Sequence, residues 1–328
     1  MPAIFTPNFV SVLSLVFLCM AMPTAAQTLL QESLTVETET GLLHASLMRP
    51  KSPEPIPVAL LVAGSGPTDR NGNSRYGAND NLKRLANVLS KLGVASVRYD
   101  KRGVGKSLYT APDEHLLRAD DYVNDIRLFI RQLRQDRRFS DVIVIGHSEG
   151  ALLSSIATQD ETVSALILIA GPGRPVATTL RIQLSRLPLS PALVQESQHI
   201  LDGLEQGRLS TTVSDPLQPL FRESVQPYLI SLFKYDPVKA LRNNSAPVLI
   251  IQGDQDIQVS VEDAQLLAQA EKGAQLRIIQ GMNHVLRIVD SPEAQWRSYN
   301  EPNRPIASEL SLAIKSFLVD QGILPPSS

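Results

Sequence analysis

In the stretch DVIVIGHSEGALLSSIA, residues 141–157, one serine stands where an apolar β-branched run gives way to good helix formers. Gly146 and Gly150 flank Ser148 two residues to either side, the G-x-S-x-G spacing of a serine carried on a sharp strand-to-helix turn. Such a turn strains its apex residue by ~1–3 kcal/mol, and the glycines let the two backbones approach where a Cβ would collide. A hydroxyl projected above the end of a strand in this way is suited to nucleophilic attack. The bland alternative is an ordinary glycine-bounded turn with a solvated serine, and a base and an acid elsewhere in the chain decide between the two.

A serine nucleophile needs a general base within hydrogen-bond reach, and the base needs a carboxylate to fix its tautomer. Of five histidines, His44 lies in an N-terminal hairpin, His115 in a loop, His199 in a proline-broken segment, and His147 should point away from its neighbour Ser148. His284, in QGMNHVLR, follows the last apolar strand and is the candidate base. The segment VLIIQGDQDIQV offers Asp254 and Asp256 after another strand; Asp256 is the preferred acid and Asp254 a turn former.

Acyl transfer also needs two backbone N–H donors for the oxyanion, each worth ~3–4 kcal/mol. Glu149, directly after the serine, supplies one. The second is expected from AGSGPTDRNG, through Ser65 or Gly66; Pro67 has no N–H, and Asp69 and Arg70 are expected to pair and brace the loop.

These residues must be held by a regular frame. SLTVETETGLLHASLMRP reads as a hairpin turning at Thr40-Gly41, and buried strands follow at 58–64, 94–100, 142–145, 163–171, 247–252 and 275–281. Helical periodicity at 80–93, 119–135, 261–272 and 306–319 alternates with them, implying a largely parallel sheet with ligands at the carboxyl ends of its strands. Between Pro172 and Ala246 the alternation stops. Helical pieces there are broken by Pro188, Pro191, Pro216 and Pro227, and about 70 residues without a core strand make a cap rather than a loop. The stripe Leu217, Leu220, Phe221, Val225, Tyr228, Leu229, Leu232 and Phe233 within it reads mostly as packing.

On the stretches LVAGSGPTDRNG, VRYDKRGVGKS, VIVIGHSEG, VLIIQGDQDIQV and GMNHVL, in this order, the chain resembles the α/β-hydrolase superfamily, in its bacterial serine aminopeptidase S33-like and carboxylesterase branch. The order Ser148, Asp256, His284 is that superfamily's order. The resemblance implies an α/β-hydrolase fold, a mostly parallel sheet flanked by helices with a helical cap between two core strands. It also implies a cofactor-free serine hydrolase working through an acyl-enzyme. The expected division is a signal peptide at 1–26, core at 27–173, cap at 174–245 and core again at 246–328. Small carboxylic esters are the expected substrates. An aminopeptidase on small peptides is the alternative, and a catalytically silent binding protein on the same scaffold a remoter one.

Composition sets outer limits. The 328 residues are 43% hydrophobic and 20% charged with a net charge of −2, which gives no basic excess for nucleic acid or an anionic membrane. Phe9 to Met22 is nearly all apolar and precedes MPTAAQ, too short for a bilayer span but suited to a secretory signal cleaved after Ala26, although no Lys or Arg precedes it. A secreted or periplasmic protein without a lasting membrane anchor is therefore expected. The one cysteine, Cys19, lies in that segment, so cysteine chemistry is excluded from the mature chain. GVGKS at 103–107 imitates a phosphate-binding loop, but Asp100 stands where that pattern needs glycine. DQDIQVSVED lacks the spacing of a calcium loop. No cofactor or metal is expected.

Overall fold

The computed structural model describes residues 28–75 and 77–326, so the expected signal segment lies outside the described residues. Eight strands form one sheet: β1 (Leu29–Thr38), β2 (Gly41–Pro50), β3 (Ile56–Val62), β4 (Ala95–Tyr99), β5 (Phe139–His147), β6 (Ala165–Ile169), β7 (Val248–Gly253) and β8 (Gln275–Ile279). Their order across the sheet is β1-β2-β4-β3-β5-β6-β7-β8. The β1–β2 hairpin and its β2–β4 contact are antiparallel, and all later pairs are parallel.

The unbroken apolar runs of the central strands follow from cover on both faces. Successive residues point to opposite sides, so Leu60, Val62, Val142 and Val144 join one core while Ala59, Leu61, Ile143 and Ile145 join the other. The first core is closed by α2 (Ala119–Gln135), α3 (Glu149–Ala157) and α9 (Val261–Ala270). The second is closed by α1 (Asn81–Lys91) and α11 (Ser308–Asp320), through Leu85, Leu89, Ile314 and Phe317.

The chain leaves β3 toward β4 on one side and returns to β5 on the other, so the order reverses at β3. In parallel sheets that reversal opens a crevice at the carboxyl ends of the strands. The register Val62↔Gly146 sets the loop after β3 beside the turn after β5.

Between β6 and β7 lie α4 (Val176–Ser185), α5 (Pro191–Glu205), α6 (Gln218–Phe221), α7 (Gln226–Leu232) and α8 (Pro237–Arg242). Here proline starts helices as well as separating them. Pro191 opens α5 behind the Ser190 cap, Pro237 opens α8 behind Asp236, and Pro227 sits in the first turn of α7. Each occupies a position whose N–H has no helical acceptor, so nothing is lost by its absence. Leu217, Phe221, Leu229 and Leu232 are buried, in keeping with a packing stripe. The short helix α10 (Pro292–Arg297), only six residues long, escapes the periodicity reading.

Candidate active site

β5 ends at His147, and Ser148 follows with φ 56 and ψ −127 as the residue before α3. This is the strained apex that the glycine spacing requires. A Cβ on Gly146 would lie 2.4 Å from the Gly150 carbonyl oxygen, and one on Gly150 would lie 2.5 Å from that of Val62. Both contacts are with backbone, so neither position has room for a side chain. The turn is fixed at its back by Ser148 N–H donating to the Ile169 carbonyl at 2.9 Å.

His284 lies in the loop after β8, and its Nδ1 bonds Asp256 Oδ2 at 2.8 Å. Asp256 itself is almost enclosed. Its Oδ1 accepts the N–H groups of Gln258 at 2.7 Å and Val259 at 3.0 Å, and its Oδ2 accepts Gln252 Nε2 at 3.1 Å. Burial works to raise the Asp256 carboxyl, but the charge and hydrogen bond of His284 and the two backbone donors outweigh it and hold the group below its usual value. Asp254 stands apart: it accepts Gly281 N–H at 2.7 Å and so ties the loop after β7 to the one after β8. Asn283 anchors the histidine loop by donating to Gln295 Oε1 and Ser298 Oγ, beside α10.

The expectation for His147 needs correction. It does not turn away from the site: its ring centroid is 4.8 Å from that of His284, and its Nε2 donates to the His284 carbonyl at 2.8 Å. The loop carrying His284 folds over this end of the sheet, so the side chain before the serine meets the candidate base. Burial, reinforced by the neighbouring His284, pushes His147 down to about 4, which keeps it neutral. The expected Asp69–Arg70 pair is also corrected. Arg70 instead grips Asp100 with Nη2 at 2.6 Å and Nε at 3.0 Å, while Asp69 caps its own turn by accepting the N–H groups of Asn71 and Asn73. Asp100, buried just after the neighbouring strand β4, accepts both of these guanidinium donors.

The same carboxylate accounts for GVGKS. Lys106 N–H donates to Asp100 at 2.9 Å, and a Cβ on Gly105 would lie 2.5 Å from Asp100 Oδ2. Gly105 and the Lys106 amide wrap a carboxylate of the chain itself.

Ser148, His147 and His284 open onto a cleft of about 180 Å³, lined also by Gly64, Ser65, Thr68, Asn79, Asn81, Gln258 and Tyr299. Ser65 lines this cleft; Gly66, at φ 71, does not. Glu149 presents its N–H from the first position of α3, where no helical acceptor exists. Its side chain, which sequence reasoning left without a role, is buried and accepts Tyr228 Oη at 2.7 Å from the insert. Sequence reading also missed Gln252. A buried polar residue ending the run VLII was its one visible signal. Among the described residues, no group of three acidic, histidine or cysteine side chains could hold a metal.

A reversing parallel sheet flanked by helices, with a left-handed serine between strand and helix and a histidine–aspartate pair at the same edge, is the architecture of the α/β-hydrolase fold. The sequence profile of serine aminopeptidase, S33, matches residues 77–216. The chain is 26% identical to esterase EstD of Thermotoga maritima over 250 residues, 74% of this chain, and spans 58% of that protein's length. Among solved structures it is similar to Est1E from Butyrivibrio proteoclasticus, with TM-score 0.57, 19% identity and 88% and 98% of the two chains covered. An esterase of Pyrococcus furiosus gives TM-score 0.56, 16% identity and coverage of 89% and 91%. The chain has the α/β-hydrolase fold.

Proposed function

We propose that this protein is a serine hydrolase that cleaves small carboxylic esters through an acyl-enzyme, with Ser148, Asp256 and His284 as its triad. The observation that carries the reading is the 2.8 Å His284–Asp256 bond at the rim of the cleft that Ser148 enters on a strained turn. Ser148 Oγ attacks the ester carbonyl while His284 Nε2 takes its proton. Asp256 holds the Nδ1–H and balances the imidazolium that forms. The tetrahedral oxyanion accepts the N–H groups of Glu149 and Ser65. Collapse expels the alcohol, which takes the proton from His284, and a water molecule then repeats the sequence to release the acid and restore the serine.

Esters are favoured over peptides with a free amine because an aminopeptidase needs an anionic group for that amine. Among the described residues, no aspartate or glutamate lines the cleft. The likeness to EstD supports the same preference. The cleft's small volume supports acyl groups of a few carbons. The test is hydrolysis of nitrophenyl esters beside aminoacyl nitroanilides, with fluorophosphonate labelling of wild type and Ser148→Ala. Faster turnover of the anilides would overturn the ester reading. Export to the periplasm or medium is proposed on the N-terminal apolar segment alone, and N-terminal sequencing of the mature protein checks it: an intact Met1 overturns it.

A further inference from the structure

We propose that Lys101 is a positioning residue for the oxyanion site, acting through the Gly64–Ser65 peptide. This inference rests on the serine-hydrolase reading above.

Lys101 follows β4 and is 3% exposed. Among the described residues no carboxylate lies within ion-pair distance of its ammonium. Its Nζ donates instead to the carbonyl oxygen of Gly64. Burying an ammonium is costly unless it is well bonded, so a buried lysine whose one hydrogen bond among the described residues goes to a backbone carbonyl calls for a reason. Burial holds Lys101 below the usual lysine value, and the carboxylate of Glu149 opposes that effect across the same interior.

The reason lies in peptide geometry. The Gly64 carbonyl and the Ser65 N–H belong to one planar unit and point in opposite directions. Lys101 holds the carbonyl from the inside, which turns the Ser65 N–H outward, and Ser65 lines the cleft. The peptide passes close to the nucleophile: a Cβ on Gly64 would lie 2.9 Å from Ser148 Cβ. A cation on the carbonyl also polarises the peptide and makes its N–H a stronger donor. A flexible Gly-Ser-Gly loop would otherwise have to be ordered by the reacting oxyanion itself, whereas catalysis gains from donors already in place.

The other donor is tied to the same interior. Glu149, whose N–H is the first donor, accepts Tyr228 Oη from α7. Tyr228 packs edge-on against Tyr122 at 5.5 Å, and the Lys101 ammonium lies 5.6 Å from the centre of the Tyr122 ring. Both oxyanion donors are thus braced from one buried cluster.

Lys101→Met keeps the apolar stem and removes the donor. Removing an oxyanion donor outright costs ~10²–10³ in kcat, so misaligning one should lower kcat by about 10- to 100-fold with KM nearly unchanged. The inhibition constant of a trifluoromethyl ketone, which places an oxyanion in the same site, should weaken by the same factor as kcat/KM. A folded Lys101→Met enzyme with wild-type kcat, or one damaged in KM alone, overturns the inference. Should that variant fail to fold, Lys101→Gln, with a shorter neutral donor, is read in the same way and must show the same loss confined to kcat. Serine-specific labelling tests the underlying reading separately, so an intact Lys101 variant of an enzyme labelled at Ser148 overturns this inference alone.

Discussion

His147 Nε2 donates to the carbonyl oxygen of His284 at 2.8 Å, so the residue preceding the candidate nucleophile holds the backbone of the candidate base. The contact joins positions 137 residues apart. Burial and the neighbouring His284 push His147 down to about 4 from an ordinary 6.5, against the opposing pull of this bond, so the ring is neutral at ordinary pH.

That depression has a pH signature. Between pH 6.5 and 4 the unfolded chain binds a proton at His147 that the folded chain refuses, so stability is present above 6.5 and is lost as the pH falls. At ~1.4 kcal/mol per unit, the loss should reach about 3 kcal/mol. Urea midpoints across this range should fall more steeply for the wild type than for His147→Gln. Parallel curves for the two proteins would show that His147 is not the group responsible.

Ser148→Ala should remove ester hydrolysis by about 10⁶ in kcat, together with fluorophosphonate labelling. Its urea midpoint should stay close to wild type, since the left-handed backbone and its bond to Ile169 remain. A labelled alanine variant would assign the nucleophile to another residue.

The two aspartates of QGDQDIQV should separate sharply. Asp256→Asn leaves His284 poorly oriented and should lower kcat by about 10⁴. Asp254→Asn keeps an oxygen that can accept Gly281 N–H, so its loss should stay within about tenfold. Steady-state rates of the two variants decide the assignment, and a greater loss in Asp254→Asn reverses it.

A cleft of about 180 Å³ accommodates few carbons beyond the reacting ester. Each methylene that finds apolar contact adds at most ~1–3 kcal/mol, and the gain ends when the space is full. On nitrophenyl esters from acetate to palmitate, kcat/KM should peak among the short acyl groups. A maximum at the long end would mean that the insert opens into a channel.

Whatever depended on local pattern was legible in the chain itself. The run VIVI followed by Gly146 and Gly150 announced a covered strand, a tight turn and a helix because pleat and steric contact act over a few residues. The hairpin at Thr40-Gly41, the helix over 119–135 and the alternation of strands with helices were visible for the same reason. So were the positions of Ser148, His284 and the two aspartates at strand ends, which set the reach of any site. The preference for Asp256 over Asp254 as the partner of His284 came from the sequence, but other partner choices were not legible there. That Arg70 takes Asp100 over its neighbour Asp69, and that His147 and Lys101 turn inward to carbonyls far along the chain, follow from how the loops fold over the sheet's edge. Such choices depend on which buried donors and acceptors are left facing one another once the strands are in register, and only the assembled structure brings them within hydrogen-bond distance.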